Sequence, residues 1–138
     1  MSRFVLDASV VLTWCFPDEN SDFAQRVAQE LGRGASAITP AFWAHEVLNA
    51  LLVGEKRKRI SRDLIHSFLV DLETMPIEMR SVSRADVFRR IQDLSRKHGL
   101  TAYDAAYLHL AEVTSLPLAT LDEELSAACR HAGVELVG

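Results

Sequence analysis

In the stretch "LTAYDAAYLHLAEV", Leu100–Val113, one carboxylate stands alone among apolar or small side chains. Ala102, Tyr103, Ala105, Ala106, Tyr107, Leu108, Leu110 and Ala111 surround Asp104 on every helical face. A helix that is apolar all round belongs inside its protein. A charge held there costs several kcal/mol unless a cation or hydrogen-bond donors meet it. The plainer reading is a capping box, with Thr101 as N-cap and Asp104 reaching back to its backbone N–H. Three other acids decide how much weight that reading deserves. Asp7 ends the apolar run "RFVLDA" and Asp122 follows the apolar run "LPLATL", so each falls at the carboxyl end of a candidate strand. Taken singly, both are ordinary helix-start acids favoured by the helix dipole, and Thr120 makes a capping box of its own with Glu123. Glu46 stands mid-helix in "FWAHEVLNAL" beside an apolar stripe, and Asn49, three residues on, could hydrogen-bond the same carboxylate. As a set, four carboxylates sharing one cleft need hard cations, or protons, to offset their repulsion. Oxygen ligands without a cysteine or histidine cluster point to Mg²⁺ or Mn²⁺ rather than zinc. His45, His66, His98, His109 and His131 show no metal spacing.

The elements that must position these acids alternate along the chain. "RFVLDA" reads as a buried parallel strand and "SVVLTWCF" as a short helix stopped by Pro17. "SDFAQRVAQELGRG" spaces Phe23, Val27 and Leu31 on one helical face. "SAIT" is a second brief strand, and "AFWAHEVLNALLVGEKRK" a long helix. Ser61 caps "RDLIHSFLVDLETM"; "IEMRSV" alternates as a strand; Ser83 caps "SRADVFRRIQDLSRKHGL", which Gly99 ends. After the helix from Thr101 come a strand "LPLATL", a helix "DEELSAACRHAG" and a last strand "VELV". Strict alternation predicts an α/β fold with a mostly parallel sheet covered on both faces. In such sheets chemistry gathers beyond the carboxyl ends of strands at a topological switch point.

The whole chain narrows the function classes. At 138 residues it is expected to be one domain, residues 1–138. A net charge of −4 is not the basic surplus of a typical nucleic-acid binder, although it conceals local clusters. "EKRKRISR" and the run Arg89–Lys97 are basic, and a solvated helix face is the plainer reading of either. Cys15 and Cys129 suggest neither a disulfide framework nor a zinc site. No apolar run reaches the length of a signal or a membrane span, so a cytoplasmic protein is expected.

"FVLDASVVLTWCF", "ITPAFWAHEVLNAL", "LTAYDAAYLHLA" and "LATLDEEL" together resemble the four acidic motifs of PIN-domain ribonucleases, and most of all the VapC-like toxins of bacterial toxin–antitoxin pairs. No single motif is specific; four in the right order, over essentially the whole chain, are. The resemblance implies a three-layer α/β/α domain with about five parallel strands, the first and fourth adjacent at the switch point. It implies Asp7, Glu46, Asp104 and Asp122 as catalytic, metal-binding acids, with Ser9 and Thr120 as hydroxyls that orient them. Mg²⁺, with Mn²⁺ as a substitute, would support hydrolysis of RNA phosphodiesters. Lys56, Arg57, Lys58, Arg59, Arg62, Arg89 and Arg90 would then hold backbone phosphates. Trp14, Phe16, Phe42 and Trp43 concentrate aromatic area for which a cognate antitoxin, or a second copy in a homodimer, is the implied partner. Two rivals remain. An aspartyl-phosphate phosphatase with Asp7 as nucleophile would want an acid at position 9, where Ser9 stands. A non-catalytic PIN-like module would bind RNA or protein without cutting.

Overall fold

The computed structural model describes residues 2–138. Four parallel strands form one sheet: β1 (Arg3–Leu6), β2 (Ser36–Pro40), β3 (Ile77–Arg80) and β4 (Leu118–Ala119), in the order β3-β2-β1-β4. Helices flank it: α1 (Ala8–Thr13), α2 (Asp22–Gly32), α3 (Trp43–Lys56), α4 (Arg62–Glu73), α5 (Arg84–Asp86), α6 (Gln92–His98), α7 (Ala102–Thr114) and α8 (Glu123–Ala132). The expected three-layer α/β/α class is what forms. In the central strands Phe4, Val5 and Leu6 face no water, and neither does Ile38. Such continuous apolar burial is the mark of a parallel strand covered on both sides.

Strand order places the site. The chain adds β2 and β3 on one side of β1, then returns to lay β4 on the other. The β1/β4 boundary is therefore the switch point, with Val5 beside Leu118 and Leu6 beside Ala119. Asp7 and Thr120 leave neighbouring strands at the same end, tied by the Asp7 N–H to Ala119 O bond of 3.0 Å. The anticipated fifth strand, "VELV", is reduced to a single bridge between Leu136 and Leu118. With β4 only two residues long, there is little edge for a fifth strand to extend along.

Local capping follows the sequence closely. Ser61, Ser83 and Thr101 accept from the backbone N–H of Leu64, Asp86 and Asp104. Gly99 takes the left-handed φ of 65° that ends α6 and turns the chain into α7. One feature was not anticipated: the helix expected over Ser83–Leu100 is interrupted by a π-helical stretch, Val87–Ile91. There the Gln92 N–H reaches back to Val87 O, and the Gln92 side-chain amide donates to Phe88 O at 2.5 Å. That side chain thus occupies the carbonyl a regular turn would have used.

Packing also revises the reading of the early aromatics. Phe16 and Trp43 are buried, and the Trp14 indole N–H donates to Ala24 O at 2.8 Å. These side chains fill the core or its margin, while Phe42 is partly buried beside Tyr103 and Tyr107. Gly54 on α3 is required by this arrangement, because a Cβ there would lie 2.7 Å from Phe16 Cζ. Gly54→Ala should therefore lower the unfolding free energy by about 1–3 kcal/mol through overpacking, although alanine is the better helix former by about 1 kcal/mol. Urea unfolding measures the balance; equal or greater stability would show that the Phe16 ring moves aside freely.

Candidate active site at the carboxyl ends of β1 and β4

Asp7 is the centre of a hydroxyl network. Only 5% of it is exposed, and its Oδ2 accepts from Ser9 Oγ and from Thr120 Oγ1, both at 2.7 Å. Each hydroxyl has one proton, and its direction is set by what it accepts. Ser9 Oγ takes the Leu121 N–H at 3.0 Å, and Thr120 Oγ1 takes the Asp122 N–H at 3.0 Å. Both protons therefore turn to Asp7, as the orienting role implied for Ser9 and Thr120 requires. Burial pushes the Asp7 pKa up, the two hydroxyls pull it back, and nearby Asp122 raises it again.

Glu46, in the first turn of α3, receives the phenolic proton of Tyr107 at 2.6 Å. Tyr107 is fully buried on α7, and its oxygen is 3.4 Å from the Ala8 N–H at the start of α1. One phenol thereby joins three helices at the site. Desolvation raises the Glu46 pKa, the Tyr107 hydrogen bond lowers it, and Asp7 raises it. The hydrogen bond anticipated from Asn49 does not form; Asn49 is exposed and Tyr107 takes that role. Tyr107 lies 61 positions from Glu46, so no reading of local spacing pairs them. Its one visible signal was a tyrosine three residues after Asp104.

Asp104 is half-buried at the start of α7, and Thr101 caps the helix by accepting its N–H at 3.1 Å. The reciprocal half of the capping box is missing: among the described residues its carboxylate receives no hydrogen bond. Desolvation, then Asp122, Asp7, Glu46 and Glu124, push its pKa up to about 6. Glu124 is an acid that the sequence reading overlooked, although it stands in the quoted "LATLDEEL". Asp122 is itself the N-cap of α8, with Oδ1 accepting the Leu125 N–H at 2.9 Å. This corrects the expectation that Thr120 caps that helix in a box with Glu123. Thr120 points instead at Asp7.

The four acids thus come from four separate parts of the chain, and Asp122, Asp7 and Glu46 all act on Asp104 through their charge. Among the described residues no lysine, arginine or histidine forms an ion pair with any of them. The ion pairs present join Arg3 and Arg80 to Glu78, and Arg59 to Asp18 and Glu19. Glu46 Oε2, Asp122 Oδ2 and both Asp104 oxygens are outside the hydrogen bonds described, leaving lone pairs for a cation, while Asp7 also accepts from the Ser9 backbone N–H. Among the described residues no group of three or more His, Cys, Asp or Glu side chains is placed to hold a metal ion, so a cation here would keep water among its ligands. An open, all-oxygen arrangement suits Mg²⁺, which keeps several waters and rarely takes an all-protein cage.

The basic candidates divide. Arg57 and Arg59 line a cavity of about 470 Å³ together with Leu121 and with Ser9, which hydrogen-bonds Asp7; none of the four acids lines it. Arg59 is already engaged, bridging Asp18 and Glu19 at 3.1 Å each and lying 4.4 Å over the Phe16 ring. Lys56, Lys58 and Arg62 are exposed around the end of α3 and do not line that cavity. Arg89 and Arg90 belong to the π-helical stretch, and Arg90 shares a cavity with Glu112 and Val113. Those residues are at the far end of α7 from Asp104, roughly 12 Å along the axis at 1.5 Å per residue.

Comparison with known proteins agrees with this fold. The sequence model of the PIN domain matches residues 4–131. The chain is 35% identical over 127 residues to Ribonuclease VapC3 of Pyrobaculum aerophilum, covering 90% of this chain and 92% of that one. Among solved structures, PAE2754 from Pyrobaculum aerophilum superposes with a TM-score of 0.71 at 20% identity, over 92% of this chain and 79% of that one. FitAcB from Neisseria gonorrhoeae superposes with a TM-score of 0.66 at 18% identity, over 98% and 96%. The chain belongs to the PIN domain family.

The raised pKa values have a measurable consequence for the metal-free protein. Asp104 has a folded pKa of about 6 against an ordinary value of 3.8. Below the ordinary value both folded and unfolded chains hold the proton. Between the two values the folded chain holds more, so stability falls as pH rises through that window and levels off above it. Asp7 and Glu46, raised in the same direction, add to the slope. Thermal melts in EDTA should therefore show a Tm that declines from pH 4 to pH 7. Asp104→Asn should decline less, and parallel profiles for the two proteins would contradict this coupling.

Proposed function

We propose that the protein is a divalent-cation-dependent endoribonuclease and the toxin of a toxin–antitoxin pair, with residues 1–138 acting as one PIN domain. The observation that carries this reading is the set of Asp7, Glu46, Asp104 and Asp122 around the β1/β4 switch point, three of them with raised pKa values, and with no ion pair to any of the four among the described residues. A fold does not ordinarily keep such a set for stability; a bound cation gives it a use. The likeness to a protein named Ribonuclease VapC3 supports RNA as the substrate.

In this reading Asp7, Glu46, Asp104 and Asp122 hold Mg²⁺, with Mn²⁺ able to replace it. When bound, the cation lowers the pKa of a water and stabilises the leaving oxygen of the phosphodiester. The chain's own contribution is orientation. Ser9 and Thr120 fix Asp7, and Tyr107 fixes Glu46. The Leu125 N–H holds one Asp122 oxygen and leaves the other without a hydrogen bond among those described. Arg57 lines the same cavity as Ser9, and a flanking phosphate would run there.

Partners follow from the same reading. An antitoxin and a second copy of the chain need apolar surface, and the buried early aromatics supply little of it. Leu48, Leu52 and Val53 on α3, with Leu64 and Val70 on α4, are the exposed apolar side chains offered instead. Among the described residues no helix is long and apolar enough to cross a membrane.

Labelled single-stranded RNA mixed with the purified protein tests the proposal. Cleavage should require Mg²⁺ or Mn²⁺, stop in EDTA and fall at acid pH, where a proton on Asp104 competes with the cation. Asp104→Asn should lower the rate by about 100-fold or more, at or beyond the upper range for disturbing a metal site. Mg²⁺ should raise the Tm of the wild type by mass action and of Asp104→Asn much less. Cleavage that survives full chelation would reject the metal mechanism. Co-expression with a small neighbouring reading frame should yield a stable complex, and its absence would count against the toxin assignment.

A further inference from the structure

We propose that Tyr103 and Asn49 form a nucleobase subsite beside the carboxylate centre, holding an unstacked base next to the phosphodiester to be cut. The proposal rests on the ribonuclease reading and names how that site takes hold of its substrate. Tyr103 precedes Asp104 directly, and it is 62% exposed although Ala105–Ala111 behind it are all buried. Its ring is nevertheless not free to wander. It packs edge-on against Phe42, with centroids 5.1 Å apart at 74°, and Phe42 packs in the same way on Tyr107 at 5.7 Å and 89°. An exposed ring held in place from behind is a stacking platform that loses little entropy on binding.

The cavity in front of it measures about 360 Å³ and is lined by Phe42, His45, Glu46, Asn49 and Tyr103. Phe42, His45, Glu46 and Asn49 recur at helical spacing, so one face of α3 supplies everything but the tyrosine. Glu46 is shared with the catalytic acids, which makes the cavity continuous with the reacting centre. No lysine or arginine lines it, and Glu46 would repel a phosphate. The part of an RNA strand that suits it is therefore the neutral, planar base. The Asn49 amide is exposed and takes part in none of the hydrogen bonds described, so its donor and acceptor can both meet a base edge, as asparagine does with adenine. A base can enter only from a single strand or a loop, where it is not already stacked.

Short single-stranded RNAs carrying 2-aminopurine at successive positions test the subsite, because stacking quenches that base. The full chain is titrated in EDTA, and KM, kcat and the cleavage pattern on a random RNA pool are measured in Mg²⁺. One position should be quenched by the wild type. Tyr103→Leu should lose the quench and raise KM by about tenfold, with kcat affected much less. Tyr103→Phe, which keeps the ring, should recover both. Asn49→Ala should flatten the base preference at one position of the cleavage pattern. Quenching without cleavage would uphold the subsite and reject the ribonuclease reading. Cleavage by Tyr103→Leu with unchanged KM and pattern would reject the subsite and leave the ribonuclease intact. Loss of antitoxin binding by Tyr103→Leu with RNA binding undisturbed would make the cavity a protein contact and overturn the proposal.

Discussion

The site is organised around a buried carboxylate, Asp7, whose Oδ2 is held by two hydroxyl protons from opposite ends of the chain. Ser9 comes from α1 and Thr120 from the end of β4, 111 positions apart and themselves 3.4 Å from each other. The network forms only if β1 and β4 are neighbours in register, so strand order and site geometry are one constraint. Energetics explain why it does not neutralise the site. Hydrogen bonds to a charged group contribute about 1.5–3 kcal/mol each. The effective cost of burying the ion is several kcal/mol. The two are of similar size, and burial together with the nearby Asp122 charge prevails, because the Asp7 pKa remains above its ordinary value.

Repulsion among the four acids then has to be carried by the rest of the fold. The sheet and α7 can carry it because they are packed without access to water: Phe4, Val5, Leu6, Tyr107 and Leu108 are all fully buried. Tyr107 has two functions in that packing. Its ring is core, while its hydroxyl turns Glu46 toward the cleft and meets the Ala8 N–H. Local stability is thereby spent at one end of the sheet and recovered along its length, a common arrangement around sites poised for charge.

Much of this was legible in the sequence, and the failures share a cause. Apolar runs ending in acids located β1 and the stretch around β4, because burial on both faces writes itself as an unbroken hydrophobic run. Capping at Ser61, Ser83 and Thr101 was legible because a cap is a contact between residues three apart. Contacts across the fold were not. Asn49 looked like the partner of Glu46 because it is three residues away, and the structure chose Tyr107 instead. Thr120 looked like a helix cap for the same reason, and it faces Asp7. The π-helical stretch left no local mark beyond a glutamine placed to meet the Phe88 carbonyl. Basic clusters were visible as composition, but only the fold shows that Arg57 shares a cavity with Ser9 while Arg90 shares one with Glu112 and Val113.

The aromatic residues between α3 and α7 connect these levels. Tyr103, Phe42 and Tyr107 pack edge to face in sequence, and the last of them ends on Glu46. Edge-to-face contacts are directional, so a shift of one ring is resisted by the next. The exposed ring at one end and the carboxylate at the other are therefore set by the same packing.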